Sequence, residues 1–511
     1  AHDAALRGLK VALVEKKDFG WGTTSATSKL AHGGLRYLKN FEIGIVRESL
    51  KERRILEKIA PHLVYPIPFL LPLYEGGHNK KSLIRVGMML YDLLSYDKNF
   101  VDYKEQKMPH HKILSPEDVV KAEPTIIKEG LLGAAKYCDC QISSPERLCL
   151  EFILTAASNG ADVSNYAEVE KIIINNNKAE GVIVKDNTNG KAYTIKSKIV
   201  VNASGPWLDR LIKTYNPSHK QKIRGTKGIH IITDKISNNA VVLSAKKTGR
   251  SFFVLPWRGH SLVGTTDVDF NGDLDDVYAD KKDIADLVAE LNEAYGSNVS
   301  TEHVWYSYAG VRPLVNEEGK KETEVSRRYE IKEESIQGLI TVMGGKLTTA
   351  RGLAERGVDM IVEKLCKKVQ PCRTKETPLY GSTIGHKNYL KKVLSQENAD
   401  KELLTHLINT YGSKYEDVMK IAGTGANKRL ALNQPDIQAQ VSYAMEEEMA
   451  LTLEDFMIRR TGIATLGEPY ISCTFAAADI MAGRLGWDEA KKIDEILNFK
   501  KKVQRKYYYG L

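Results

Sequence analysis

The chain has 511 residues, 42% of them hydrophobic and 27% charged, an ordinary globular balance that suits roughly two to four domains or one large bilobed enzyme. No run of about 18 apolar residues occurs, so no transmembrane helix is expected. The net charge of +9 is carried by scattered lysine pairs such as Lys16-Lys17 and Lys80-Lys81; it favours anionic lipid surfaces and anionic substrates, and no basic arm interleaved with aromatics points to nucleic acid. The six cysteines form no C-x-x-C pair and suit a reducing compartment; Cys138-Asp139-Cys140 has no second pair at ligand spacing, so no metal is expected.

Residues 1–6 read as the end of an Ala-rich helix, Gly8 as the glycine after its C-terminus, and residues 9–14 as a buried parallel strand ending in Glu15. That order is the second half of a dinucleotide-binding βαβ unit, in which the acid accepts hydrogen bonds from a ribose hydroxyl; the alternative for Glu15 is an ordinary surface acid. The first strand and its Gly-x-Gly-x-x-Gly turn are not in the chain, which opens at Ala1 in what reads as mid-helix, and an upstream segment is expected to be missing.

His32-Gly33-Gly34-Leu35-Arg36-Tyr37 places an imidazole, a guanidinium and a phenol around two glycines. Glycines admit a flat ligand closely, histidine moves protons near neutral pH, and arginine grips phosphate or carboxylate with a planar fork. The segment therefore reads as a cofactor face beside an anionic substrate. An amphipathic helix follows at 44–59. The four prolines within 61–73 exclude a helix there and predict an extended edge segment or a tight connector. Residues 83–94, interrupted by Arg85 and Asp92, are too short to span a bilayer and predict a buried helix or one lying on a membrane surface.

Ser115-Pro116 and Ser144-Pro145 open capped helices. A strand is expected near 166–174, a turn at Asn175-Asn176-Asn177, and a resumed sheet from Gly181. Residues 199–207 are a buried strand running into the Gly205-Pro206 break, of the kind that returns a chain past a bound dinucleotide. Residues 224–331 read as an antiparallel substrate-covering sheet, and Trp207 and Trp257 as core rings rather than flavin stackers. A strand at 338–343 leads through Gly344-Gly345 into a helix from Ala350, an anion- and dipole-bearing site. Beyond a Pro- and Gly-containing connector at 369–385 the chain is helical to its end, with Glu446-Glu447-Glu448 as a solvated helix face.

Six blocks in order carry a family resemblance: 23–37, 201–207, Pro256-Trp257-Arg258-Gly259, Gly264-Thr265-Thr266-Asp267, 310–314 and 344–349. With them the chain resembles, over nearly its whole length, the FAD-dependent (aerobic) glycerol-3-phosphate dehydrogenases, within the fold family of D-amino-acid oxidase. The departures are the missing first strand and glycine turn, and Ala31 where a β-branched residue is commoner. The resemblance implies a mixed α/β fold: a Rossmann-like FAD-binding domain (1–75, 146–223 and 336–370), a cap and substrate region (76–145) with an antiparallel substrate sheet (224–335), and a C-terminal helical domain (371–511).

It also implies hydride transfer from C2 of glycerol 3-phosphate to FAD and electron delivery to a membrane quinone. The catalytic group is then His32 as base with Arg312 and Lys346. Arg312 holds the phosphate, helped by Arg36 or Arg327, and Tyr37, Lys346 and Asp267 complete the substrate site; for Asp267 the alternative is a turn cap. For FAD the expected contacts are Glu15, Thr23, Thr24, Ser25, Ser28 and Leu30, then His32, Gly33 and Gly34. Val169, Ala203, Ser204, Gly205 and Trp207 follow, and finally Gly345, Lys346, Leu347 and Thr348. Further expectations are peripheral attachment to an anionic membrane surface on the cytoplasmic side of the cell membrane, and a homodimer. The rivals are an oxidase that reduces oxygen to hydrogen peroxide, an amino-acid or sarcosine-type oxidase, and a non-catalytic FAD- or lipid-binding protein.

Overall fold

The computed structural model describes residues 1–506 apart from 78–79, 102, 317–328, 334, 384, 397–399, 433 and 468–469. The opening helix His2–Leu6 turns at Gly8, whose positive φ of 79° suits a residue without Cβ, into the strand Ala12–Val14. That strand pairs in parallel with Asp162–Ser164. A second parallel pair joins Val200–Asn202 to Leu339–Gly344, which takes Tyr329–Glu333 antiparallel on its other edge. Strands Ala167–Asn175, Lys178–Asp186 and Ala192–Lys196 form an antiparallel meander. These parallel pairs and the meander are the Rossmann-like half of the molecule.

The other half is a ten-stranded, mostly antiparallel sheet. Its main path runs Val268–Asp269, Ile223–Thr233, His260–Gly264, Ser251–Trp257, Ala240–Ser244, Val64–Tyr74, Leu131–Ile142, Leu30–Ala31. Val304–Val315 pairs the second of these along its length. The helix Lys281–Tyr295 covers one face, burying Leu287, Leu291 and Tyr295 against Ile229, Val241 and Val254. Trp257 is buried in the core, as expected.

Three expectations are corrected. The proline-rich segment is neither edge nor connector: Val64–Tyr74 lies inside the sheet, antiparallel to Leu131–Ile142 and parallel to Ala240–Ser244. Pro66, Pro68 and Pro72 share one parity, so their missing N–H groups fall on one side of the strand, and the pairing with Ala240–Ser244 uses only the proline-free step Phe69–Leu70. The 83–94 segment forms the helix Lys81–Leu94, which buries Ile84, Met88 and Tyr91 but leaves its opposite face, also apolar, in solvent. Glu448 is not solvated: its carboxylate is fully buried and receives Arg147 at 2.6 Å.

That last pair belongs to a seam between the Rossmann-like half and the C-terminal helices, which include Lys401–Tyr411, Gln438–Glu446, Tyr470–Leu485 and Glu489–Lys506. Asp18 accepts Arg459 Nε at 2.6 Å and both terminal nitrogens of Arg460 at 2.8 and 2.9 Å. Tyr166 donates to Asp455 at 2.7 Å. Burial would raise the Asp18 pKa, but the two guanidiniums hold it well below the usual carboxylate range.

Candidate active site

His32 directly follows the strand Leu30–Ala31, whose register with Leu131–Ile142 sets Ala31 opposite Cys140 and so brings Asp139 beneath the next turn. Asp139 accepts the Gly33 backbone N–H at 3.3 Å, Arg53 at 2.5 Å and the Tyr91 hydroxyl at 2.7 Å. The two glycines have reasons in the protein itself. A Cβ on Gly33 would stand 2.3 Å from the Tyr91 hydroxyl and 2.4 Å from Leu50; Gly34 has φ 73° and the Tyr37 ring against it.

The second glycine pair meets the first from more than three hundred residues away. Gly344 and Gly345 have φ of 72° and 103°, and turn the strand Leu339–Gly344 into the short 3-10 turn Leu347–Thr349. His32 N–H donates to Thr348 Oγ1 at 3.4 Å. Lys346 Nζ donates to Ser49 Oγ at 2.7 Å and sits 4.7 Å from the centre of the Tyr37 ring. Arg36 reaches the Tyr37 hydroxyl at 3.4 Å. His32, Arg36, Tyr37 and Lys346 therefore form one cluster.

Electrostatics set the protonation of that cluster. Burial pulls the His32 pKa down to about 4; Asp139 opposes this, while Lys346, Arg36 and Arg53 add to it. The imidazole is neutral at pH 7 and free to take a proton. Burial also lowers the Lys346 pKa, against the pull of Tyr37 and Glu48. Tyr37 first, with a further contribution from Asp267, holds the Arg36 guanidinium above its ordinary value against the pull of burial.

Asp267 carries the cluster to Arg312. Arg312 donates to Asp267 at 2.9 Å, to Thr265 Oγ1 at 2.7 Å and to the Thr266 carbonyl at 3.0 Å. It projects over Gly228, where a Cβ would lie 2.3 Å from its Nη2, so the strand needs glycine there. Nearby His230 meets Ser28 Oγ at 2.9 Å and stacks on Tyr308 at 4.9 Å. Arg327 lies outside the described residues.

A cavity opens beside the strand ends, lined among others by Trp21, Gly22, Thr23, Ser25, Lys29, Glu146, Trp207 and, from the C-terminal region, Ile458 and Arg459. Thr23 Oγ1 donates to the Val311 carbonyl at 2.8 Å, and Ser25 Oγ to the Trp21 carbonyl at 2.9 Å. Thr24 lies in the same turn. Trp207 is half-buried rather than core: its Nε1 donates to Asp275 at 2.9 Å and its ring stands 5.4 Å from that of Trp21. Ala203, Ser204 and Gly205 follow the strand Val200–Asn202, with Ser204 Oγ on Asn202 Oδ1 at 2.6 Å. Glu15 follows Ala12–Val14; its carboxyl is raised by burial and accepts Lys17 N–H, and its carbonyl receives Ala167 N–H, two residues before Val169. Leu30 is buried in its strand, and Leu347 packs at the head of its turn.

This donor set fits FAD. A shielded carboxylate stands at one strand end, the buried Asn202 Nδ2 lacks a hydrogen-bond partner among the described residues at a second, and a Gly-Gly turn with a nearby ammonium stands at a third.

Sequence reasoning missed Asp139, Arg53, Tyr91, Ser49, His230 and Gly228. A signal exists only for Asp139, an acid between two cysteines in a strand, and that triplet by itself points no further than to a metal site without a second ligand pair.

The FAD dependent oxidoreductase family profile matches residues 1–362, and that of the C-terminal domain of alpha-glycerophosphate oxidase matches residues 372–492. The chain belongs to the FAD-dependent oxidoreductases, and FAD is its cofactor. A glycerol-3-phosphate dehydrogenase of Synechocystis sp. is 36% identical over 511 residues, covering 96% of this chain and 91% of the relative. An aerobic glycerol-3-phosphate dehydrogenase of Staphylococcus aureus is 35% identical over 510 residues, covering 96% and 89%. The crystal structure of the glycerol-3-phosphate dehydrogenase from Bacillus halodurans complexed with FAD superposes with a TM-score of 0.80 at 28% identity, covering 99% of this chain and 92% of that one. The L-alpha-glycerophosphate oxidase of Mycoplasma pneumoniae, at 18% identity and a TM-score of 0.54, shares the fold.

Proposed function

We propose that the protein oxidises sn-glycerol 3-phosphate to dihydroxyacetone phosphate at FAD and delivers the electrons to a membrane quinone. FAD, when bound, supplies the two-electron acceptor for the hydride leaving C2. The observation that carries the reading is the neutral imidazole of His32 set among Arg36, Lys346 and, through Asp267, Arg312.

His32 takes the proton of the C2 hydroxyl at a ring nitrogen. Burial keeps the ring unprotonated at working pH, so a nitrogen is open to the proton. Lys346 and Tyr37 orient the hydroxyl and stabilise alkoxide character. Arg312 and Arg36 bind the phosphate dianion, with Arg327 as a further candidate. Asp267 holds Arg312 in place until the dianion shares its fork. Glu15 binds the ribose, with Val169 beside it. Residues 23–25, Ser28 and 203–205 line the pyrophosphate side with Trp207. Gly33-Gly34 and 345–348 border the flavin, with Leu30 packed behind.

The relatives' names support the substrate, and the matching C-terminal family profile is named for an oxidase. Anaerobic reduction of the bound flavin by glycerol 3-phosphate, followed by reoxidation with either vesicle-embedded quinone or air-saturated buffer, tests the acceptor. Faster recovery with quinone is expected; recovery by oxygen alone, with stoichiometric hydrogen peroxide, would make the protein an oxidase.

A further inference from the structure

Among the described residues neither nitrogen of the His32 imidazole makes a hydrogen bond, and the ring stands edge-on to Phe253 at 6.0 Å between centres. Its direction is therefore set by the backbone. The two peptide planes that flank the His32 Cα are each held by one hydrogen bond. The His32 N–H donates to Thr348 Oγ1 at 3.4 Å, and the Gly33 N–H donates to Asp139 Oδ1 at 3.3 Å.

Asp139 is the more firmly held of the two acceptors. Its Oδ1 also receives Arg53, from the helix Ile43–Ile59, at 2.5 Å, and its Oδ2 receives the Tyr91 hydroxyl, from the helix Lys81–Leu94, at 2.7 Å. Asp139, Arg53 and Tyr91 are each at most 3% exposed. Burial first, and the Asp139 charge after it, raise the Tyr91 pKa well above its ordinary value, so the hydroxyl stays a donor. The turn has no slack, since a Cβ on Gly33 would stand 2.3 Å from that hydroxyl. Apolar side chains of the same volume often stabilise a core as well as a buried ion pair does. What this pair supplies beyond stability is a rigid acceptor aimed at one N–H of the turn that carries His32.

We propose that Asp139 is a positioning residue of the reaction: it pins the Gly33 peptide and so fixes the direction in which His32 offers a ring nitrogen to the substrate hydroxyl. The inference rests on the reading of His32 as the base. Such positioning acts on rate, because a displacement of about 1 Å at the reacting atoms can cost about 10²-fold. The carboxylate has a second effect through its charge. The charged groups that face His32 are Asp139 from the strand Leu131–Ile142, Lys346 from the Gly-Gly turn, Arg36 from the 3-10 turn Leu35–Asn40 and Arg53 from the helix Ile43–Ile59. Of these, Asp139 alone favours the protonated ring; burial and the three cations oppose it. The hydrogen bond thus acts on the rate at saturation and the charge on the titration of the ring.

Two substitutions at one site separate these effects, because both remove the charge and both leave Arg53 unpaired. Asp139→Asn keeps an acceptor for the Gly33 N–H, and Asp139→Leu does not. In the FAD-loaded protein, Asp139→Leu should slow flavin reduction at saturating glycerol 3-phosphate by about ten- to a hundredfold in stopped flow, while KM, set by Arg312 and Arg36, holds. Asp139→Asn should restore most of that rate. The His32 ring resonance of histidine-labelled protein, identified by its loss in His32→Ala, should shift as the pH falls toward about 4 in the wild type and lag in both variants. Equal rates for the two variants, a loss carried in KM, or a ring titration that neither substitution moves would overturn the proposal. Where the unpaired Arg53 keeps either variant from folding, Tyr91→Phe leaves the ion pair whole and frees Oδ2. It should slow reduction by about three- to tenfold, the worth of one hydrogen bond; a wild-type rate would overturn the proposal by that route. His32→Ala tells the two readings apart. If it reduces flavin at the wild-type rate, the base assignment falls and this role with it. If it is slow while Asp139→Leu matches the wild type, the base stands and Asp139 has no part in placing it.

Discussion

The catalytic cluster and the seam to the C-terminal helices are built from the same charged residue types and differ in how the charges are matched. At the seam, Arg459 and Arg460 meet Asp18, Asp455 and Glu454, and Arg147 meets Glu448, with the seam's central groups at most 3% exposed. At the cluster, Arg312 pairs with Asp267, which also acts on Arg36; Lys346 is offset by Tyr37, Glu48 and Glu42, and Asp139 is taken by Arg53. Matched buried charges hold two parts of a fold in one register. In the proposed function, cations beside a neutral imidazole would attract a phosphate dianion and leave a base ready. Variants at the seam should therefore change stability and spare kinetics, and variants at the cluster should do the reverse.

The largest effect should follow His32→Ala. Flavin reduction at saturating glycerol 3-phosphate should fall by about 10²–10⁴-fold in stopped flow, the span of general-base catalysis. The wild-type rate should stay flat between about pH 6 and 8, because burial keeps the imidazole neutral, and fall only as the pH drops toward its pKa of about 4. Next comes Asp18→Ala, which leaves two buried guanidiniums without their shared acid. It should lower stability by about 3–5 kcal/mol in denaturant melts while KM in the folded fraction holds. Arg312→Ala should raise KM by about ten- to a hundredfold with FAD still bound, the equivalent of one charge-assisted contact.

The smallest predicted change has the opposite sign. Glu57 is buried, neither carboxylate oxygen has a hydrogen-bond partner among the described residues, and burial pushes its pKa up to about 8. A raised acid favours the folded state while protonated, and that stability is lost as the pH climbs from its ordinary value near 4.5 through 8. Glu57→Gln should then gain on the order of 2 kcal/mol over the wild type at pH 9 and little at pH 4.5, read as the difference in melting temperature.

Local chemistry made much of this legible in the sequence. Ser115 and Ser144 cap their helices as their types require, accepting Asp118 and Arg147 N–H groups. The strand after Gly8 and the Gly-Gly turns fall where the glycines stand. Long-range pairing did the rest and left no local mark. Prolines at 66, 68 and 72 look like an edge until their common parity is set against a neighbour 170 residues away. Glu448 looks solvated within a run of glutamates until Arg147 is brought to it. Asp139 gains its meaning from Gly33, Arg53 and Tyr91, none of them near it in the chain.

In the proposed function the cationic cluster selects a phosphorylated three-carbon alcohol. An anaerobic titration of the FAD-loaded protein, following the oxidised-flavin absorbance, tests it most directly. Glycerol 3-phosphate should bleach the flavin fully at concentrations where glycerol, glycine and proline leave the spectrum unchanged. Equal bleaching by unphosphorylated glycerol, or bleaching by an amino acid instead, would contradict it.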